Sequence, residues 1–238
     1  MADLRWKRVL VKLSGEALAG SQAMGIDPDV VGRIADDLVA AHALGAEIGV
    51  VIGGGNLFRG AWLQQQGTDR VTGDHMGMLA TVMNALAMRE ALAARGIRAA
   101  ALSGMPVPSV CDTFTQRDAR ARLAEDRMVL FPGGTGCPFF TTDTTAALRA
   151  AEMGCDAILK ATNVDGIYTA DPKKDPSARR YEALRFEEAI ARDLKVLDTA
   201  AFALARDNAI PIIVFSIREP GALIDVLSGR GRATVVAG

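Results

Sequence analysis

The sequence predicts an α/β chain, a mostly parallel sheet with helices over both of its faces. Three observations carry this. Strand-like apolar runs alternate with helical periodicity along the chain. The runs VLV, VVI and PIIVF are continuous rather than alternating, as strands covered on both faces should be. Glycines close several of the helical stretches, where a left-handed residue ends a helix cheaply.

The elements follow in order. Arg8–Leu13 (RVLVKL) reads as the first strand. Asp27 and Pro28 open a helix as cap and first-turn proline, and Val31, Ile34, Leu38, Ala41 and Leu44 keep helical spacing up to Gly45. Glu47–Ile52 is the second strand and runs into Gly53-Gly54-Gly55. A long helix is expected over Asp74–Arg95, closed by Gly96, and a strand over Ile97–Leu102. A short helix near Arg117–Ala124 precedes a strand at Met128–Phe131. Asp143 can cap a helix that runs through Met153 to Gly154, and Ala157–Lys160 is a short strand. Asp165–Tyr181, polar and holding Pro172 and Pro176, reads as a long loop. Helices near Phe186–Leu194 and Thr199–Asp207, a strand at Ile210–Phe215, a helix near Glu219–Leu227 and a strand at Ala233–Val236 complete the pattern.

Composition narrows the classes. A chain of 238 residues suits one domain over residues 1–238, with no internal repeat and no clear linker. Apolar residues at 50% and charged residues at 23% exclude disorder. Lys plus Arg number 27 against 28 Asp plus Glu, so no charge excess draws the chain to nucleic acid or a membrane surface. Cys111, Cys137 and Cys155 are widely spaced without a CxxC, which suggests reduced thiols and a cytoplasmic setting. Lys12 interrupts the first apolar run, which is too short for a signal peptide, and no run approaches the ~20 residues of a membrane span.

In an open parallel sheet, ligands bind beyond the carboxyl ends of the strands. Lys12 and Lys160 both end apolar runs, VLVKLSG and AILKATN. Each could reach solvent or pair with a structural carboxylate. Two at matching strand ends, beside Ser-Gly and Thr-Asn, point to a shared phosphate site. Gly53-Gly54-Gly55-Asn56 follows a strand, where backbone without Cβ atoms lets amides approach phosphate oxygens; a plain tight turn is the alternative. Neither GxGxxG nor GxxxxGK[ST] occurs, so this is neither a dinucleotide fingerprint nor a P-loop. Arg59 is a candidate phosphate clamp, or else a solvated arginine. Gly133-Gly134-Thr135-Gly136, then Cys137 to Asp143, crowd hydroxyls and a carboxylate into a strand-to-helix junction that could hold a polar ligand. For Asp143, as for Asp74, capping is the competing explanation. His42 and His75 are too few and too isolated for a metal site. Met76, Met78, Met83 and Met88 fall on one helix and read as packing. Ser14 lacks the GxSxG context of a hydrolase nucleophile.

KLSGEAL at Lys12–Leu18, GVVIGGGNLFRG at Gly49–Gly60 and GDHMGMLATVMNALAMR at Gly73–Arg89 fall in one order with three further stretches. These are GTGCPFFTTD at Gly134–Asp143, LKATNVDGIYTADP at Leu159–Pro172 and LKVLDTAAFALARD at Leu194–Asp207. Together they resemble the bacterial uridylate kinases (UMP kinases) of the amino-acid kinase family. The resemblance implies a three-layer α/β/α sandwich and transfer of the ATP γ-phosphoryl group to UMP in pyrimidine nucleotide biosynthesis, with Mg2+ carried on ATP and no direct protein ligands to the metal. It implies catalytic roles for Lys12, Arg59, Asp143 and Lys160: the lysines neutralise the transferring phosphoryl, Asp143 positions them and the metal-bound phosphates, and Arg59 holds phosphate. ATP would meet Lys12, Leu13, Ser14, Gly15, Gly55, Arg59, Thr162, Tyr168 and Asp171. UMP would meet Gly54, Asp74, Thr135, Gly136, Cys137, Pro138, Phe139, Phe140, Thr141 and Thr142. Asp198 matches a family carboxylate near the site. Cys137 departs from the family's usual asparagine and removes an amide from the acceptor loop. The family also implies a homohexamer, GTP activation and UTP inhibition; Gly20–Gly25 and Arg127 match effector-linked positions, whereas Gln116 stands where an aromatic residue can occur.

Phosphoryl transfer needs positioning and charge stabilisation more than covalent work by the protein, so a missing histidine is no objection. A carboxylate kinase of the same fold would share the lysines and glycine turns but not the acceptor segment. A nucleotide-binding oxyanion storage protein would need more histidines or carboxylates along its cavity.

Overall fold

The computed structural model describes residues 4–58, 67–172, 174–192, 194 and 196–238. Among these, one sheet of nine strands runs in the order β4-β3-β5-β2-β1-β6-β8-β9-β7. Its centre is β1 (Arg8–Leu13), flanked in parallel by β2 (Glu47–Ile52) and β6 (Ala157–Thr162). Beyond β2 lie β5 (Met128–Leu130), β3 (Ala99–Ser103) and the two-residue β4 (Asp112–Thr113). Beyond β6 come β8 (Ile212–Ser216), β9 (Ala233–Ala237) and β7 (Ala183–Arg185). Only the β8–β9 pairing is antiparallel among the described strands.

Helices cover both faces. Val9, Val11 and Leu13 of β1 pack with α1 (Gly15–Leu18), α2 (Pro28–Ala43), α3 (Arg70–Ala93) and α8 (Ala222–Leu227). Leu10, on the opposite face, packs with α4 (Gln116–Ala124), α5 (Thr142–Met153), α6 (Phe186–Ala191) and α7 (Thr199–Asp207). The alternation of Val9, Leu10 and Val11 between the two cores is the period-two signature of a doubly covered strand. The architecture is the expected three-layer α/β/α sandwich.

Several local expectations are corrected. The long helix begins at Arg70, because Asp69 caps it by accepting from the Thr72 amide at 3.1 Å; Asp74 lies inside the helix and is not its cap. At α5 the cap is Thr141, whose hydroxyl accepts from the amides of Asp143 and Thr144, so the Asp143 carboxyl is left for other partners. Met78 and Met88 are buried as expected, but Met76 and Met83 are 38% and 54% exposed. The three cysteines are free thiols, with Cys137 exposed and the other two buried.

Candidate active site

Lys12 lies two residues beyond Leu10, and Lys160 two beyond Ile158, which puts both on the face covered by α5. The two lysines are register partners on adjacent strands, and each is only 8% exposed. Such a pair is expensive to bury without a counter-charge. Asp143, in the first turn of α5, supplies it: Oδ1 lies 2.9 Å from Lys12 Nζ and Oδ2 accepts from Lys160 Nζ at 2.7 Å. Lys160 also donates to the carbonyl of Val196. Burial, reinforced by the Lys12 charge, pushes the Lys160 ammonium down to about 8. Burial alone would raise the Asp143 carboxyl, but the two ammonium groups outweigh it and hold it below the usual carboxylate range.

The start of α5 is itself held in place. Asp198 caps α7 by accepting from the Ala201 amide and accepts from the hydroxyls of Thr141 and Thr144. The residue that caps α5 and the residue that follows Asp143 are therefore tied to one carboxylate.

The glycine turn after β2 is close-packed rather than merely flexible. A Cβ on Gly15 would lie 2.4 Å from the Gly53 carbonyl oxygen, and one on Gly54 would lie 2.7 Å from the Gly77 carbonyl oxygen. A buried amide pair fixes this turn. Asn84 Nδ2 donates to the Gly53 carbonyl at 2.7 Å and to Asn56 Oδ1 at 2.7 Å. Asn56 Nδ2 donates back to Asn84 Oδ1 and on to the Gly25 carbonyl.

Two cavities flank this centre. One, of about 310 Å³, is lined by Gly54, Gly55, Arg70, Asp74, Thr81, Thr135, Phe140, Thr141 and Thr142, among others. Asp74 joins its two walls, accepting from Arg70 Nε at 2.9 Å and from the Phe139 amide at 2.7 Å. Phe139 stands at φ 70, a left-handed conformation that costs a non-glycine residue about 1–2 kcal/mol, and the Asp74 contact helps hold it there. The Arg70 guanidinium lies 5.5 Å from the Phe139 ring. The other cavity, of about 440 Å³, opens beyond β6 and β8 between Asn163–Asp165 and the turn Ser216, Glu219 and Pro220. Tyr168 donates to Asp165 at 2.6 Å beside it.

The expected site residues thus fall into place unevenly. Gly54, Asp74, Thr135, Phe140, Thr141 and Thr142 share the first cavity, and Gly55, expected on the ATP side, lines it too. Gly136, Cys137, Pro138 and Phe139 lie on the same segment without lining it. Leu13 and Ser14 connect β1 to Gly15, and Thr162 ends β6. Asp171 lies further along the loop, exposed and 4.0 Å from Lys174. Arg59 lies outside the described residues. Gly20 and Gly25 follow β1 and α1 at the carboxyl end of the sheet, whereas Arg127 immediately precedes β5 at the amino end, so one chain does not bring these effector-linked positions together. Sequence reasoning passed over Asn84 and Arg70. Asn84 was detectable as a lone amide in the apolar run VMNALAM, and Arg70 as a partner four residues before Asp74.

The Amino acid kinase family pattern matches residues 7–216. The chain belongs to the amino acid kinase family. Within that family it is 61% identical over 232 residues to a uridylate kinase of Nitrobacter winogradskyi, covering 98% of each chain. It is 57% identical over 237 residues to one of Azorhizobium caulinodans, covering 100% of each. Among solved structures, the UMP kinase of Bacillus anthracis superposes with a TM-score of 0.94 at 37% identity, over 98% of this chain and 96% of that one. The uridylate kinase of Archaeoglobus fulgidus gives 0.76 at 28% identity, over 96% and 99%.

Proposed function

We propose that this amino acid kinase transfers the γ-phosphoryl group of ATP to UMP. A phosphate oxygen of UMP bonds to the γ-phosphorus, the bond to the β–γ bridging oxygen breaks, and ADP and UDP result. The observation that carries the reading is the pair of buried lysines in register, bridged by one carboxylate, beside the 310 Å³ cavity. The naming of close relatives as uridylate kinases supports the same acceptor.

In this reading UMP occupies that cavity against Gly54, Asp74 and the Thr135–Thr142 segment. The ATP phosphates lie along Lys12–Gly15 and Gly55, and its nucleoside fills the 440 Å³ cavity near Thr162, Tyr168 and Asp171. Lys12 and Lys160 meet the charge spread over the transferring phosphoryl oxygens, and Asp143 keeps both ammonium groups aimed there. Arg59 adds a phosphate contact. A phosphate oxygen is already nucleophilic, so no strong base is needed.

Magnesium fits as a passenger on ATP. Both Asp143 oxygens face lysines, and the Asp198 oxygens are taken by Thr141, Thr144 and the Ala201 amide. No cluster of three acidic, histidine or cysteine side chains occurs among the described residues. The metal, held by the donor phosphates, would supply further charge neutralisation.

The same reading takes residues 1–238 as a single domain, working in the cytoplasm in pyrimidine biosynthesis; no described helix is long and apolar enough to cross a membrane. It includes a homohexamer, supported by the exposed Met76, Leu79 and Met83, which follow one another at helical spacing along α3 as a face for another copy. It also includes activation by GTP and inhibition by UTP. The test is ADP release from magnesium-ATP with UMP, CMP, N-acetylglutamate or no acceptor. A large rate with UMP alone, lost in Lys12→Ala, supports the reading. Turnover with the carboxylate alone refutes the acceptor.

A further inference from the structure

The 440 Å³ cavity has one wall that the sheet secures only at its start, where the Ile217 amide donates to the Thr162 carbonyl at 3.0 Å. This is the turn of residues 217–221 between β8 and α8. It lies beyond the β8–β9 ladder, and α8, only six residues long, starts at Gly221 in a left-handed conformation (φ 81) with no side-chain cap. Two side chains one turn apart on α2 add an anchor at each of its ends. Arg33 donates to the Ile217 carbonyl at 2.6 Å, and Asp37 Oδ1 accepts from the Gly221 amide at 2.9 Å. The first and last residues of the turn are thus anchored to the same helix face.

The turn is also a partition. Glu219 and Pro220 face the 440 Å³ cavity, whereas Ile217 and Arg218 face a second one of about 320 Å³ that Arg33 also lines. Asn163 lies in both walls, and Arg218 Nε donates to it across the boundary at 3.2 Å. Moving the turn would therefore change the shape of the larger cavity directly.

Asp37 makes this clamp at a cost. It is 6% exposed, and its Oδ2 is buried without a hydrogen-bond partner. Burial accordingly pushes its carboxyl up. An apolar side chain would seal α2 against α8 without leaving a buried oxygen unsatisfied. What an apolar side chain cannot do is accept the Gly221 amide and fix the turn.

We propose that Arg33 and Asp37 are positioning residues for the donor nucleotide, holding the 217–221 turn that walls its nucleoside cavity. This rests on the reading of that cavity as the ATP site. The experiment measures KM for ATP, KM for UMP, kcat and the unfolding midpoint in the full chain carrying Arg33→Ala, Asp37→Ala or Asp37→Asn. Both alanine variants are expected to raise KM for ATP about tenfold while KM for UMP and kcat at saturating ATP stay within about twofold. Asp37→Asn retains an oxygen that accepts from Gly221 and is expected to restore KM for ATP. If Asp37→Ala fails to fold, Arg33→Ala, only half-buried, decides by the same split. Folded alanine variants with unchanged KM for ATP, or an equal rise in both KM values, overturn the proposal and leave the kinase reading standing. A wild-type protein that neither turns over ATP nor is protected by it against heat overturns both.

Discussion

Replacing Asp143 by asparagine keeps its shape and removes its charge. Two ammonium groups then remain buried on adjacent strands, bridged in the wild type through one carboxylate at 2.9 and 2.7 Å. Two unit charges about 5 Å apart at an effective dielectric constant of about 20 repel by about 3 kcal/mol, the order expected for such a pair. Removing one partner from a buried ion pair typically costs about 3–5 kcal/mol. For a chain of this size that lowers Tm by about 10 °C. The loss has a characteristic pH dependence. Lys160 sits near 8 in the folded state against an ordinary 10.5, so its burial penalty is full below pH 8 and is relieved as pH rises towards 10.5. Without Asp143, which raises the Lys160 value, the folded pKa falls further and relief begins at lower pH. The deficit of Asp143→Asn relative to wild type is therefore larger at pH 7 than at pH 9. Adding Lys160→Met removes the repulsion, so the double variant should recover about 2 kcal/mol relative to Asp143→Asn alone. Urea unfolding of the four proteins of this cycle at both pH values reads all of these quantities. Strictly additive losses, or a deficit that does not change with pH, would refute the view that the three groups act as one unit.

Other consequences are as direct. With ATP varied, kcat/KM should fall on the alkaline side as Lys160 loses its proton near 8; the limb in kcat should lie at higher pH, because bound phosphates favour the ammonium. A rate flat from pH 7 to 10 would contradict this. Gly15→Ala puts a methyl 2.4 Å from the Gly53 carbonyl oxygen and 2.7 Å from the Gly55 amide, both backbone atoms that cannot yield separately. Displacing that turn by even about 1 Å should lower kcat/KM about a hundredfold with the fold retained by circular dichroism. Asp74→Asn keeps a carbonyl for the Phe139 amide but loses the charge that binds Arg70; KM for UMP should rise several-fold with KM for ATP unchanged, and an equal rise in both would place Asp74 elsewhere.

The features legible in the sequence were those that a residue's own neighbours decide. β1 and β2 occur at their expected bounds because a continuous apolar run ending in Ser-Gly or Gly-Gly has few alternatives. Lys12 and Lys160 stood out because a charge at the end of such a run needs a partner. Their partner was named, with capping left as its competing role. Asp143 and Thr141 are both good caps by type, and only the structure shows that Thr141 takes the amides while Asp143 turns to the lysines. Asp69 and Asp74 posed the same ambiguity. β4 and β7, two and three residues long, carry no period to detect, and the antiparallel direction of β9 depends on its neighbour β8. The Asn56–Asn84 pair lies 28 positions apart in sequence, so its reciprocal bonds exist only once α3 is packed behind the glycine turn.

In the proposed reaction, charge at the transfer point explains the division of labour among these parts. Lys12, Lys160 and Asp143 sum to one positive charge, while ATP and UMP bring several negative ones. One net charge cannot neutralise them, so the protein must aim its charge rather than accumulate it. A second uncompensated lysine in this buried position would be destabilising, as the downward push on Lys160 already indicates. Asp143 resolves the conflict by making two buried cations tolerable and pointing both at one place. The rest of the compensation then falls to groups that add little or no burial cost in the free protein. On that proposal these are the backbone amides of the close-packed Gly53–Gly55 turn, the amino end of α5 and the metal that ATP would carry. The turn must therefore be rigid before substrate arrives, which is the task of Asn84, and the end of α5 must be fixed, which is the task of Asp198.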